Sequence, residues 1–234
     1  MIEIALVGDL HGNLPAVEAL DRDLRARGIE KIWCLGDMVG KGPSSADTMD
    51  WAVSRCEVLL MGNWDEGIGR KLFPKDEFYY NQLGPARMKK LLELPLEHHA
   101  LISGRKVRLL HGRPILNKAY QVHGEAEALL GAFDPDFDVV GYADVHRQGM
   151  RILNFKGILF NTGSVGNGLG LPMVQYAIMR GEVDSAAPAP FDVSMVTLPY
   201  DRERAIRDAE EAGRRGLVNA DLFCREIETG VYAR

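Results

Sequence analysis

The sequence predicts an α/β protein in which strands and helices alternate. Short apolar runs at residues 4–7, 32–35 and 57–61 are separated by amphipathic stretches at 14–27 and about 45–55. This alternation is typical of βαβ units, which place neighbouring strands parallel and connect them through helices. A chain of 234 residues is long enough for one such domain with a sizeable core.

The elements of the first half follow from apolar spacing and from residues that end helices. The stretch at 14–27 carries apolar residues at helical spacing, and Gly28 supplies a common helix-ending residue. The helix at about 45–55 leads into the third apolar run. Residues 66–95 are predicted to be mostly helical and rather exposed, with Pro95 ending the segment.

The second half is predicted to be mainly β-structure with closing helices. The expected elements are a hairpin, a short helix, a buried strand, four further strands and two helices, at 98–103 and 106–111, 124–132, 137–142, 151–154, 157–161, 174–179, 192–198, 201–214 and 219–228. We find no internal repeat and no domain boundary. We therefore expect one domain over 1–234, with a helical insertion at about 66–95 and C-terminal helices at about 201–228.

Composition narrows the class of protein. A net charge of -5 argues against a general nucleic-acid-binding protein, whose phosphate contacts need clustered Lys and Arg. No apolar run approaches a membrane span, and the first residues resemble no cleavable leader, so we expect a cytoplasmic protein. The three cysteines are scattered without metal-site spacing, which indicates neither a disulfide framework nor a structural zinc site.

Potential ligands follow the apolar runs. Asp9 and His11 come directly after the first run, where open α/β sheets bind their ligands, and their oxygen and nitrogen donors suit Zn, Mn, Fe or Co. An acid that caps a turn is the alternative for this pair alone. Five runs end in this way, with Asp9 and His11, Asp37, Asn63, His111, and Asp144 and His146. A parallel sheet would bring them to one edge, and seven ligands match two metals that share a carboxylate.

These motifs, in this order, resemble those of calcineurin-like metallophosphoesterases. The motifs are Asp9-Leu10-His11, Gly36-Asp37, Gly62-Asn63, His111-Gly112 and His146-Arg147. Residues 34–40 and 161–166 extend the likeness to bacterial and archaeal phosphodiesterases related to diadenosine-tetraphosphatases. The resemblance implies a four-layer α-β-β-α sandwich with a dimetal site between its sheets.

The resemblance also implies residue roles and a cofactor. Asp9, His11 and His146 would hold one metal, Asn63 and His111 would hold the other, and Asp37 would bridge them. The expected cofactor is two divalent ions, Mn first, with Fe, Zn, Ni or Mg as alternatives. The expected partner is a small phosphorylated substrate, without stable nucleic-acid binding or membrane association, and self-association is left open.

The chain departs from the family pattern at two positions. Trp64 stands where the family has the histidine that helps the leaving group depart, and an indole has no exchangeable proton near neutral pH. Asp65 would be placed to orient a histidine restored at 64. Asp144 replaces a histidine of the second metal, and a solvent-facing acid is the alternative for it. His123 is the one imidazole we can nominate to replace the lost acid.

The predicted function is hydrolysis of a phosphodiester or phosphomonoester, such as a nucleotide, by metal-bound hydroxide, with Asp37 and Asn63 as catalytic residues. Lys41, Arg113 and Arg147 follow motif residues and could contact substrate phosphate, although ordinary surface cations are an equal alternative. A weakly active member that binds metals and a phosphorylated ligand is the second hypothesis. A metal-free nucleotide-binding protein is disfavoured, since residues 8–12 lack the glycine spacing of a phosphate-binding loop.

Overall fold

The fold contains two five-stranded mixed sheets. The computed structural model describes residues 1–116, 119–125, 129–154 and 156–233. The first sheet has the order β10-β9-β1-β2-β3, formed by β1 (Ile2–Val7), β2 (Lys31–Cys34), β3 (Val58–Leu59), β9 (Val174–Gly181) and β10 (Asp192–Leu198). Within it, β1, β2 and β3 are parallel, whereas β9 and β10 run antiparallel to their neighbours.

The second sheet has the order β4-β5-β6-β8-β7. Its strands are β4 (Glu97–Ile102), β5 (Arg105–Leu110), β6 (Val139–Tyr142), β7 (Gln148–Leu153) and β8 (Gly157–Thr162). The inner strands β5, β6 and β8 are parallel, and the outer strands are antiparallel to them. The expectation that one parallel sheet edge gathers the motifs is therefore wrong, because β5 and β6 belong to a different sheet from β1, β2 and β3.

The described residues contain six α-helices and one short 3-10 helix. The α-helices are α1 (Leu14–Arg27), α2 (Ser45–Arg55), α3 (Asn63–Gly69), α4 (Glu77–Leu92), α5 (Arg202–Arg214) and α6 (Ala220–Thr229), and the 3-10 helix is Gly131–Phe133. None of these helices is long and apolar enough to cross a membrane. The bounds of α1 and α2 confirm the predicted helices at 14–27 and 45–55.

The central strand β1 buries both of its faces. Because side chains alternate along a strand, β1 contributes to two separate clusters. Ile4 and Leu6 pack with Val107 of β5 between the sheets, whereas Ala5 and Val7 belong to the cluster formed with α1, α2 and α4. This packing confirms the predicted sandwich, with the layer between the sheets as its centre.

Two predicted helical segments differ in the structure. The segment at 66–95 is two helices, α3 and α4, and α4 bends at Gly84, whose φ of 65 is not helical. Much of the segment is exposed, as predicted, although Leu83 and Leu91 are buried in the core. Of the helix predicted at 124–132, residues 126–128 lie outside the described ranges, residues 129 and 130 are α-helical, and the chain continues as the 3-10 helix, whose Phe133 packs on the outer face of the second sheet.

Candidate metal centre

The predicted ligands converge where the two sheets meet. Asp9 and His11 follow β1, Asp37 follows β2 and Asn63 begins α3, while His111 follows β5 and the remaining pair follows β6. Several hydrogen bonds join the two sheets at this edge, and candidate ligands make some of them. His111 Nδ1 lies 2.8 Å from the Leu35 carbonyl, and the backbone N–H of Asp144 donates to Asp9 Oδ2 at 3.1 Å.

Three histidines direct their Nε2 atoms into the centre. Their Nδ1 atoms lie beside backbone carbonyls, at 3.3 Å from Val39 for His11, 2.8 Å from Leu35 for His111 and 2.9 Å from Asn167 for His146. A carbonyl only accepts, so each Nδ1 carries a hydrogen, and in the neutral form of each imidazole the lone pair lies at Nε2. This is the arrangement by which outer partners orient metal-binding histidines.

Two of these lone pairs face each other. Nε2 of His11 lies 3.1 Å from Nε2 of His146, and both side chains are almost completely buried. Two neutral acceptors at this distance repel unless a proton or a cation lies between them. Burial, followed by the neighbouring His146, lowers the pKa of His11 well below its ordinary value, which favours a cation other than a proton.

The carboxylates complete two groups of donors. Asp9 Oδ1 lies 3.7 Å from His11 Nε2, 3.4 Å from His146 Nε2 and 3.8 Å from His111 Nε2. Asp37 Oδ2 lies 3.6 Å from His11 Nε2 and 3.3 Å from His111 Nε2. The donor atoms form one group of Asp9, His11 and His146 and a second of Asp9, Asp37 and His111. Asp9 is thus common to both groups, and the bridging role of Asp37 stays a prediction.

Three atoms that could ligate a metal in this region are buried without a hydrogen bond. They are Asp9 Oδ1, Asn63 Oδ1 and His111 Nε2. An unpaired buried polar atom ordinarily costs about 1–3 kcal/mol. Since divalent metals bind carboxylate, amide and imidazole donors, metal ligation would satisfy all three atoms. The residues present therefore fit a divalent metal centre.

The charge of the centre also favours a cation. Burial opposes protonation of His111, but the carboxylates of Asp37, Asp9 and Asp144 outweigh it and raise its pKa to about 10. These three carboxylates carry more negative charge than one protonated His111 can neutralise. A bound divalent ion would replace that proton as the counter-charge.

The ligand loops have an unusual backbone. Five of the ligands have positive φ values, namely Asp9 at 53, His11 at 45, Asp37 at 53, Asp144 at 69 and His146 at 57. Non-glycine residues rarely adopt this conformation, which costs on the order of 1–3 kcal/mol and concentrates at functional sites. The apolar spacing of the sequence carries no signal for it.

Asp144 is paired with a predicted substrate-binding residue. Arg113 Nε lies 3.0 Å from both carboxylate oxygens of Asp144, whose side chain is 2% exposed. The alternative that Asp144 faces solvent is therefore wrong. Its Oδ1 is 3.9 Å from His111 Nε2, so it lies beside the second donor group while already accepting from Arg113.

Asp65 is bound through its side chain to backbone N–H groups of the neighbouring loops. Its carboxylate accepts from the backbone N–H groups of Asp37 at 2.7 Å, Gly62 at 3.0 Å and Met38 at 3.0 Å. Burial and the adjacent Asp37 raise the pKa of Asp65 to about 7. Its oxygens therefore fix the Asp37 and Gly62 loops, and the orientation of an imidazole at position 64 by Asp65 stays a prediction.

A cavity of about 580 Å³ opens onto the centre. Its lining includes Asp37, Asn63, Asp144 and His146 together with the three predicted substrate-binding cations, Lys41, Arg113 and Arg147. Arg147 is exposed and has no charged partner among the described residues. His123 is exposed and is not among the described residues that line the cavity, so its nomination as a replacement acid gains no support.

Lys41 is held by residues that the sequence did not single out. Its Nζ donates to Glu226 of α6 at 2.9 Å, and the same carboxylate accepts from Asn167 Nδ2 at 2.6 Å. The backbone carbonyl of Asn167 in turn lies 2.9 Å from Nδ1 of His146. Sequence reasoning missed Glu226 because 185 residues separate it from Lys41 and no local motif marks it.

Comparison with known proteins agrees with this geometry. The sequence model of the calcineurin-like phosphoesterase family matches residues 2–149. The chain belongs to that family. It is 29% identical over 237 residues to an uncharacterised protein of Methanocaldococcus jannaschii, covering 86% of this chain and 89% of the relative.

Two solved structures share the fold. A metallophosphoesterase of Sphaerobacter thermophilus has a TM-score of 0.76 at 21% identity, with 98% of this chain and 100% of that chain covered. A hypothetical protein of Pyrococcus horikoshii has a TM-score of 0.77 at 16% identity, with 100% of each chain covered. The likeness extends beyond the matched family region to the C-terminal helices.

Proposed function

We propose that this protein is a phosphoesterase that uses two divalent metal ions to hydrolyse a phosphodiester or phosphomonoester. The observation that carries the proposal is the close approach of two bare histidine nitrogens, 3.1 Å apart, beside buried carboxylate and amide oxygens without hydrogen bonds. Membership of the calcineurin-like phosphoesterase family supports the same reaction. Mn is the proposed native ion, because the carboxylates harden the donor set.

The side chains have distinct roles in this proposal. Asp9, His11 and His146 would hold one ion, and Asn63, His111 and Asp144 the other, with Asp37 facing both. Bound metals would activate water and neutralise charge on the phosphoryl oxygens. Arg147, exposed at the cavity without a charged partner among the described residues, would contact phosphate.

The proposed substrate is small and phosphorylated, with a nucleotide as one possibility. The cavity has the volume of a small-molecule site, and the net charge of -5 does not suit an extended nucleic acid. A cytoplasmic location remains the prediction from the sequence.

The test is hydrolysis of p-nitrophenyl phosphate and bis(p-nitrophenyl) phosphate by protein stripped of metal and then loaded with Mn²⁺. We expect activity on at least one ester that requires the added metal and is lost in His146→Ala. Exposed His99→Ala is the matched control and should retain activity. Equal rates for stripped and loaded protein would contradict the proposal.

A binding protein with little turnover is the second candidate. Two observations favour it: Trp64 occupies the position of the family's proton donor, and Asp144 already accepts from Arg113. Metal-dependent binding of phosphate, measured by calorimetry, together with hydrolysis no faster than in Asp37→Asn would establish this alternative.

A further inference from the structure

The active-site cavity has an aromatic wall that metal binding and phosphate binding leave unexplained. Trp64, Phe73 and Tyr232 line the same cavity as the candidate ligands Asp37 and His146. At about 580 Å³ the cavity has far more room than a phosphoryl group needs. The rings come from α3, from the loop before α4 and from the tail after α6, so they are brought together only by the fold.

The first two rings are held in place. The Trp64 ring centre lies 5.9 Å from that of His11 and 6.4 Å from that of Phe73. A side chain at Gly40 would collide with the indole, so glycine there leaves room for it. The Tyr80 hydroxyl donates to the Phe73 carbonyl at 2.6 Å and thereby anchors the loop that carries Phe73.

The third ring is fixed by charge. Lys41 Nζ lies 5.4 Å from the centre of the Tyr232 ring, and the next residue donates its Ala233 N–H to Glu226 Oε1 at 3.0 Å. Phe73 and Tyr232 are nevertheless 48% and 54% exposed. These two side chains therefore expose a large apolar surface beside a charged centre. Core packing does not explain this exposure.

We infer that Trp64, Phe73 and Tyr232 form a subsite for a planar aromatic group of the substrate. This inference rests on the proposed phosphoesterase function, since the aromatic group would be attached to the phosphoryl group at the metals. Flat groups stack on aromatic faces in orientations that saturated groups cannot reproduce. The substrate class is therefore an aryl or heteroaryl phosphoester, and a nucleotide is one member of it.

The test compares three phosphonates that are not hydrolysed: methylphosphonate, cyclohexylphosphonate and phenylphosphonate. Calorimetry on the Mn²⁺-loaded protein should show phenylphosphonate binding about tenfold more tightly than methylphosphonate and several-fold more tightly than cyclohexylphosphonate. Phe73→Ala and Tyr232→Ala should each reduce the phenyl preference at least about threefold, while Tyr232→Phe retains it. Phenylphosphonate affinity should fall more than methylphosphonate affinity in both alanine variants.

The matched controls are the neighbouring exposed residues, Leu72→Ala and Val231→Ala, which should retain the phenyl preference. Equal affinity for cyclohexylphosphonate and phenylphosphonate would overturn the inference, and so would an unchanged preference in both ring variants. The two proposals fail separately. If the phosphoesterase proposal is wrong, hydrolysis will be absent while the preference for phenylphosphonate remains. If the subsite proposal is wrong, that preference will be absent while hydrolysis remains.

Discussion

At the scale of single residues, the least usual candidate ligand is Asp144. It lies 3.9 Å from His111 Nε2 but is also bound by Arg113. We expect Asp144→Ala to weaken the second Mn²⁺ binding step at least about tenfold and to leave the first step unchanged, because the first donor group does not include it. Calorimetric titration measures both steps, and exposed Asp184→Ala serves as the control. An unchanged second step would make Asp144 a partner of Arg113 only.

Trp64 allows a sharp kinetic test. If no other residue has replaced the lost acid, the sequence alone predicts that Trp64→His accelerates alkyl ester hydrolysis tenfold or more, about 1.4 kcal/mol of barrier. The structure lowers this expectation, because three backbone N–H groups already occupy most of the acceptor positions of the Asp65 carboxylate. We expect a gain below about tenfold, since a general acid must be positioned to contribute fully. Rates on matched alkyl and p-nitrophenyl esters measure it, and a larger gain confined to alkyl esters would contradict this account.

The residues that the sequence identified are those whose side chains could themselves bind a metal or a substrate. Strand-end acids and imidazoles are visible because polar donors interrupt apolar runs. Asp65 could not be identified in this way, because its role depends on three N–H groups that only the folded loops bring together. The positive φ values at Asp9 and Asp37 are equally invisible to apolar spacing.

At the scale of elements, the loops after β2 and β3 press against each other. A Cβ at Gly62 would lie 2.5 Å from the Asp37 nitrogen and still closer to its carboxylate, whereas the backbone of Gly62, with φ of -94, suits any residue. Gly62→Ala should therefore act through space alone and destabilise the metal-free protein by about 1–3 kcal/mol.

Urea unfolding in the presence of chelator measures this effect without a contribution from metal loss. Gly131→Ala is the matched control, because a Cβ there meets no atom within 4 Å. We also expect Gly62→Ala to lower metal affinity, since Asp37 must move. Unfolding free energies that are equal for the two variants would contradict the close approach.

Local patterns predicted the elements unevenly. The helices at 14–27 and about 45–55 were predicted closely because apolar spacing and end signals are local. The strand predicted at 57–61 is only Val58–Leu59, paired with Trp33 and Cys34. The segment at 66–95 divides into two helices, and its contacts with the core decide its burial. The spacing of its apolar residues did not indicate the division into two helices.

At the scale of the whole molecule, the C-terminal helix is tied through Lys41 to the cavity at the candidate metal centre. Glu226 is a buried carboxylate that accepts from both Lys41 and Asn167. Glu226→Ala would leave the Lys41 ammonium, whose side chain is only 14% exposed, without its partner. We expect a loss of about 3 kcal/mol of unfolding free energy and weaker metal binding through Asn167 and His146.

Exposed Glu228→Ala is the control for this prediction, with unfolding followed by circular dichroism. Adding Lys41→Met to Glu226→Ala should restore part of the lost stability, because the unpaired charge is removed. If Glu226→Ala is as stable as Glu228→Ala, the ion pair does not tie the C-terminal helix to the cavity.

The arrangement of the sheets could not be predicted from apolar patterns. The alternation of strands and helices is compatible with one parallel sheet, and the order β4-β5-β6-β8-β7 depends on pairings between distant segments. The resemblance in the five motifs supplied the two-sheet sandwich. Contacts such as Lys41 with Glu226 needed the folded chain.

The central claim is that this chain holds two divalent ions between its sheets, and metal content tests it most directly. Protein loaded with Mn²⁺ and freed of excess should contain about two ions per chain by elemental analysis, because two donor groups share the centre. Asp37→Asn should lose at least one of them, whereas exposed Asp47→Asn should keep both. A wild-type protein that retains no ion, or an Asp37→Asn variant with the full content, would contradict the account.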